Sequence, residues 1–323
     1  MDTHRIFGIQ SAEEFESLAL ETFTIQYQQV PVYREFCDHL GKTPSKVKSL
    51  GEVPFLPIEF FKSHKVLREG YTPEKVFQSS GTTGSRRSKH YVADLDLYRE
   101  SFILGFNHFY GEPSKYCILA LLPSYQERSD ASLIHMVSEL IKLSSHAQSG
   151  FYKVPQIPDI LQRLTQTDTR VLLIGVSFAL LDLAQNTRMP LPNGIVMETG
   201  GMKGRRKEMV REELHQILSK GFELGEIHSE YGMTELLSQA YSQGNGRFYC
   251  PPWMRVQIRD TEDPLTHLAD RRTGGVDIID LANQHSCAFI STQDLGKRHP
   301  DGSFEILGRF DHSDIRGCNL MAL

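Results

Sequence analysis

The sequence predicts an α/β fold, with mostly parallel sheets flanked by helices and a β-rich subdomain toward the C-terminus. Two observations carry this. Between about residues 76 and 232, short apolar runs alternate with amphipathic stretches, and such alternation places helices on the faces of a largely parallel sheet. After residue 245 the texture changes to short strand-like runs separated by Gly, Pro and Asp turns. The 323 residues are 40% apolar, 10% aromatic and 23% charged, an ordinary globular composition with ample length for a buried core.

The elements follow in order. Residues 11–40 read as helical, carrying Phe15, Leu18, Leu20 and Phe23, then an aromatic-rich stretch from Tyr27 to Phe36. Residues 53–62 form an apolar segment in which Pro54 and Pro57 exclude a regular helix. Val76–Gln78 is a short strand. Asp94 can cap a helix with Leu95, Tyr98, Phe102, Phe106 and Phe109 on one face. Strands are expected at 116–122, 171–176 and 195–197, with helices marked by Leu133 to Ile141, Phe178 to Ala184, and the Val210, Leu214, Ile217, Leu218 stripe. Later strands are expected at 254–258, 276–281, 288–291 and 304–307. With no repeat and no flexible linker, 1–323 reads as a single domain: 1–245 as helical N-terminus plus α/β part, 246–323 as β-rich subdomain and tail.

Composition excludes several classes. A net charge of -5 is the wrong field for a general nucleic-acid binder. No signal core precedes the N-terminal helix, and no apolar run reaches the roughly 18 residues of a membrane span, so a cytoplasmic protein is expected. The five scattered cysteines and thirteen histidines lack zinc or disulfide spacing.

Two segments carry chemistry. In Ser79-Ser80-Gly81-Thr82-Thr83-Gly84, two glycines let the backbone approach an anion, and four hydroxyls with successive N–H groups can surround phosphate oxygens. Arg86, Arg87 and Lys89 add positive charge directly afterwards. The spacing matches neither a Walker loop nor a dinucleotide fingerprint. The second segment, His228 to Glu235, is expected where a strand ends and a short helix begins, at the ligand edge of a parallel sheet. Tyr231 offers a flat face for a base, Thr234 a hydroxyl, and Glu235 a hard oxygen ligand for Mg²⁺.

Together these segments resemble the signatures of the adenylate-forming superfamily of acyl-CoA synthetases, luciferases and adenylation domains. The resemblance implies that the 79–84 loop holds the phosphates of ATP. It implies that Tyr231 stacks on adenine, that Thr234 meets the α-phosphate, and that Glu235 binds Mg²⁺. Gly200 and Gly201 resemble the glycine turn beside the adenine, Asp294 the ribose-binding aspartate, and Arg309 the hinge arginine near ribose and phosphate. In most members a lysine follows a proline shortly after the glycine loop. The run Ser85-Arg86-Arg87-Ser88-Lys89 departs from that, so Arg86, Arg87 and Lys89 all stay open as the cation at the β- and γ-phosphates.

The chain ends twelve residues after Asp311, so the small C-terminal domain of the superfamily, with its lysine, is expected to be absent. That brevity, with the apolar 54–62 segment, 231–238 and 250–254, resembles the LuxE type of acyl-protein synthetase. This resemblance implies a fatty acid activated as acyl-AMP, passed to Cys318, and handed to an acceptor protein such as a reductase or carrier. Arg316 can lower the pKa of the Cys318 thiol. A phenylacetate-CoA-ligase-like enzyme using CoA, and a degenerate adenylation domain serving as a nucleotide-binding module, are the alternatives.

Overall fold

The computed structural model describes residues 3–80, 86–122, 130–164, 166–186, 188–200 and 209–309. Two compact units emerge from the described residues, one built from Met1–Val76, Arg86–Asp94 and Pro252–Leu323, the other from Phe77–Ser85 and Leu95–Pro251.

The second unit holds a six-stranded sheet in the order Gly150–Phe151, Cys117–Leu121, Val171–Val176, Gly194–Thr199, His228–Tyr231 and Ala240–Ser242. The first five strands run parallel. Every residue of Cys117–Leu121 and Val171–Val176 is buried, which is why these segments are apolar without alternation. Ala240–Ser242 closes one edge antiparallel and was not foreseen, because three residues carry no readable period.

Helices Leu95–Tyr110, Ser132–Ser144, Ile157–Leu164, Ser177–Asn186 and Arg211–Phe222 connect these strands. On Leu95–Tyr110, Tyr98, Phe102 and Phe106 are buried as expected, while Leu95 and Phe109 are half-buried. Val210 departs from its expected stripe: the helix starts at Arg211, and Val210 flanks it 67% exposed. Gly221 lets this helix press on its neighbour, since a Cβ there would lie 2.7 Å from the Ala184 Cβ and 3.0 Å from the Ala184 carbonyl oxygen.

In the first unit, Met254–Arg259, Thr273–Asp280, Phe289–Arg298 and Phe304–Arg309 form antiparallel neighbours, and Leu56–Pro57 adds a parallel edge beside Ile290 and Ser291. The apolar proline segment thus becomes an edge strand followed by the single helical turn Phe60–Ser63. The strand Phe289–Arg298 continues well past Ser291, because polar Thr292, Gln293 and Asp294 conceal it from a hydrophobic pattern.

The N-terminal helices Ala12–Gln29 and Pro31–His39 group with this β-rich part rather than with the α/β part. Side chains explain the grouping. Gln26 is fully buried, donates through Nε2 to the Asn283 carbonyl at 2.8 Å, and accepts from the Ala288 N–H at 2.9 Å. Tyr33 stacks on Phe289 with ring centroids 6.2 Å apart. A separate two-stranded sheet pairs Lys75–Gln78 with Lys89–Val92. Among the described residues no helix is long and apolar enough to cross a membrane.

Candidate functional site

In the second unit, parallel register sets Thr199 opposite both Val176 and Glu230. Ser177, Gly200 and Tyr231 therefore leave or reach the carboxyl edge of three adjacent strands at the same level, where open α/β sheets bind ligands. Gly200 has φ +67, a left-handed conformation that favours glycine. The Ser177 hydroxyl donates to the Gly200 carbonyl at 2.5 Å and to Glu198 Oε2 at 3.2 Å, fixing the turn from below.

Tyr231 is 9% exposed and its ring lies 5.8 Å from that of Phe248. The Arg211 guanidinium sits over Phe248 at 5.0 Å and bonds Glu198 through Nε at 3.2 Å. Thr234 and Glu235 fall in a turn closed by the Leu236 N–H on the Met233 carbonyl at 3.1 Å; the expected short helix is not formed there. Glu235 is buried at 4% exposure, and Thr234 is half-buried. A buried bond between the Ser101 and Ser238 hydroxyls, 3.0 Å, ties the next stretch of chain to the Leu95–Tyr110 helix.

A network that sequence reasoning missed underlies this edge. Glu198 is buried beside Arg211 and His215. Burial pushes its carboxyl up, but hydrogen bonding from His215 and the charge of Arg211 outweigh that and hold it below the usual range. Glu230, on the next strand, accepts from the Thr199 hydroxyl at 2.5 Å. Burial drives its pKa up to about 7; the Thr199 bond opposes the rise and the nearby Glu198 charge adds to it. His228 accepts or donates at Nδ1 with the Tyr110 hydroxyl, 3.1 Å away, and burial, with the charges of Arg170 and His215, lowers it to about 4. The available signal was a glutamate inside each of two strand-like runs, at Glu198 and Glu230.

In the first unit, Asp294 is 5% exposed and opposite Arg309 in register, with Arg309 Nε donating to Asp294 Oδ1 at 2.9 Å. The Asp294 N–H donates to the Thr292 hydroxyl at 3.1 Å. Buried Arg259 braces the same strand, donating to the Thr292 carbonyl at 2.6 Å and to Asp277 Oδ1 at 2.7 Å. Ser79 and Ser80 follow the Lys75–Gln78 strand, and Arg86, Arg87 and Lys89 are exposed. Gly81, Thr82, Thr83, Gly84, Gly201, Arg316 and Cys318 lie outside the described residues. The structure thus brings Gly200 and Tyr231 to one edge, just ahead of Thr234 and Glu235, and pairs Asp294 with Arg309. No group of three or more His, Cys, Asp or Glu side chains suited to a metal occurs among the described residues.

No family profile and no curated protein matches this sequence. Solved structures do match. An open conformation of 2-hydroxyisobutyryl-CoA ligase, in complex with 2-HIB-AMP and CoA, superposes with a TM-score of 0.67 at 13% identity, over 94% of this chain and 72% of that one. The chain shares the α/β fold of that ligase over the part it covers. Within that fold, ATP-bound MatB from Rhodopseudomonas palustris also matches, with a TM-score of 0.55 at 18% identity over 72% of this chain. A chimera of the same protein, again with ATP, gives 0.55 and 18%. The chain spans about half the length of these MatB structures, 47%.

Proposed function

We propose that this protein activates a carboxylic acid with ATP, forming acyl-AMP and releasing pyrophosphate, and then transfers the acyl group to a thiol. The carrying observation is the alignment of Gly200 with Tyr231 at one sheet edge, followed at once by Thr234 and Glu235, in a fold whose solved examples hold ATP or an acyl-AMP. In this reading the 79–84 loop and one of Arg86, Arg87 and Lys89 hold the phosphates. Gly200, Gly201 and Tyr231 flank the adenine, Thr234 meets the α-phosphate, and Asp294 with Arg309 holds the ribose.

A single hard carboxylate oxygen at Glu235 suits Mg²⁺, which keeps several waters and shares its coordination with substrate phosphates. Mg²⁺ would supply charge neutralisation on the departing pyrophosphate. A carboxylate oxygen of the acid attacks the α-phosphorus, the bond to the bridging β-phosphate oxygen breaks, and pyrophosphate carries away the electron pair. This chain contributes position and charge rather than covalent chemistry. A thiolate then attacks the acyl carbonyl and AMP departs, the thiol proton going to solvent.

The thiol we favour is Cys318, with a fatty acid as substrate and a carrier or reductase as final acceptor. A second reading, CoA as acceptor, is favoured by 2-hydroxyisobutyryl-CoA ligase, solved with 2-HIB-AMP and CoA in its thioesterification state at a TM-score of 0.66. Pyrophosphate release across a panel of fatty and short acids tests activation. No release with any acid would leave only a nucleotide-binding module. Labelled acid and ATP should leave acid-stable, hydroxylamine-labile label on the wild-type protein and none on Cys318→Ser. Equal labelling of both proteins would remove Cys318 as the acceptor, and thioester found only on CoA would move the acceptor to CoA.

A further inference from the structure

We infer that Glu230 is a positioning residue whose carboxyl clamps the Thr199–Gly200 turn to the Tyr231–Glu235 segment, so that loss of its proton loosens both. The inference rests on the proposed nucleotide site and adds a residue and a control to it.

Three observations carry it. Glu230 Oε2 takes the hydroxyl of Thr199 at 2.5 Å, joining the residue just before Gly200 to the residue just before Tyr231. The other oxygen, Oε1, lies over Gly232, where a Cβ would come within 2.5 Å of it and within 3.2 Å of the Gln239 Cγ. A single carboxyl therefore touches both segments. Third, Glu230 is 7% exposed with no cation bonded to it among the described residues, whereas Glu198 on the neighbouring strand takes both Arg211 and His215. An apolar residue would fill such a position at lower cost.

Burial and the charge of Glu198 favour the neutral form of Glu230 and outweigh the Thr199 hydrogen bond, which favours the anion. Glu198 and Thr199 face it from the Gly194–Thr199 strand, Tyr110 from the Leu95–Tyr110 helix, and Tyr241 from the Ala240–Ser242 strand. His228 lies two residues back on its own strand, bonded to Tyr110. Tyr241 is 1% exposed and its hydroxyl finds no hydrogen-bond partner among the described residues. None of these neighbours supplies a positive charge, and Glu198 supplies a negative one. With the carboxyl poised at about 7, the proton leaves within an ordinary pH range and sets two anions on adjacent strands.

Two measurements on the full chain test this. Hydrogen exchange of peptides covering 199–200 and 231–235, corrected for the intrinsic rate, should quicken about tenfold from pH 6 to pH 8.5 in wild type. Glu230→Gln, neutral and of the same shape, should abolish that change, while Glu230→Leu should exchange fast at both pH values with circular dichroism unaltered. Exchange that responds neither to pH nor to Glu230→Leu overturns the inference, whether or not ATP binds. The second measurement is ATP affinity at saturating Mg²⁺, as the ratio of Glu230→Gln to wild type, in which the ligand's own titration cancels. That ratio should rise about tenfold between pH 6 and pH 8.5. A flat ratio overturns the control of binding. Expected exchange behaviour in a protein that binds no ATP would keep the clamp and discard the proposed function.

Discussion

At the scale of single residues, two side chains on one strand, Glu230 buried and His228 half-buried, pull stability in opposite directions with pH. Glu230 has its pKa raised from 4.5 to about 7, so the folded state holds a proton that the unfolded chain releases. Its contribution is complete below pH 4.5 and is lost as pH rises through about 7. His228 is lowered from 6.5 to about 4, so it is neutral in the fold, and stability is lost as pH falls below 6.5. Between roughly pH 4.5 and 6.5 the two slopes oppose each other, each on the order of 1 kcal/mol per pH unit. Glu230→Gln should therefore make stability rise from pH 5 to pH 6.5 more steeply than in wild type. His228→Gln should make it fall. Urea midpoints at the two pH values check this, and parallel curves for all three proteins would refute the assignment. Neither residue's role was legible beforehand, because burial and the Thr199 and Tyr110 partners come from neighbouring elements.

At the scale of elements, one sheet carries both a bracing pair, on the strands Met254–Arg259 and Thr273–Asp280, and a proposed ligand contact, on the strand Phe289–Arg298. Arg259 and Asp277 are 8% and 1% exposed and meet at 2.7 Å, with His267 at 3.3 Å from the other carboxylate oxygen. Removing one partner strands a buried charge, at a cost of about 3 kcal/mol or more. Asp294 instead faces the largely exposed Arg309 side chain. Asp277→Ala should thus lower the urea midpoint sharply. Asp294→Ala should leave stability within about 1 kcal/mol of wild type while weakening ATP binding tenfold or more. If Asp294→Ala were the more destabilising of the two, its place in the site would have to be withdrawn.

Element type was the most readable part of the sequence. Val171–Val176 was delimited outright by its apolar run, and Ser132–Ser144 and Ser177–Asn186 lie within a few residues of their expected bounds. Polar strand residues, the Ala240–Ser242 edge and the true start of Arg211–Phe222 were hidden, since pairing partners rather than local pattern decide them.

At the scale of the whole molecule, burial divides the cysteines. Cys37, Cys117 and Cys287 are fully buried, and burial pushes the thiols of Cys37 and Cys117 up to about 12 and about 11, with Cys287 raised further. Cys250 is half-exposed. A thiol reagent at pH 8 should label Cys250 in the native protein and reach Cys37, Cys117 and Cys287 only on unfolding. Mass spectrometry of labelled peptides reads the pattern, and fast native labelling of Cys117 would contradict the packed Cys117–Leu121 strand. The fold and the order of its signature segments were legible from the sequence, because glycine loops and apolar runs are local. The buried lattice of Glu198, Glu230, Arg211 and Ser177 was not, since its members are spread over 53 positions, from Ser177 to Glu230.

Gly221 has a consequence at a distance. It lies ten residues beyond Arg211 on one helix, about 15 Å along the axis. Because its Cα face meets the backbone and Cβ of Ala184, the gap between the two helices is set by main chain and admits no adjustment by rotamer. The helix thus has two fixed points, Gly221 against Ala184 and Arg211 at Glu198 and Phe248. A side chain introduced at position 221 should therefore shift this helix and, with it, the contacts that Arg211 makes to Glu198 and Phe248, from a point outside the candidate site.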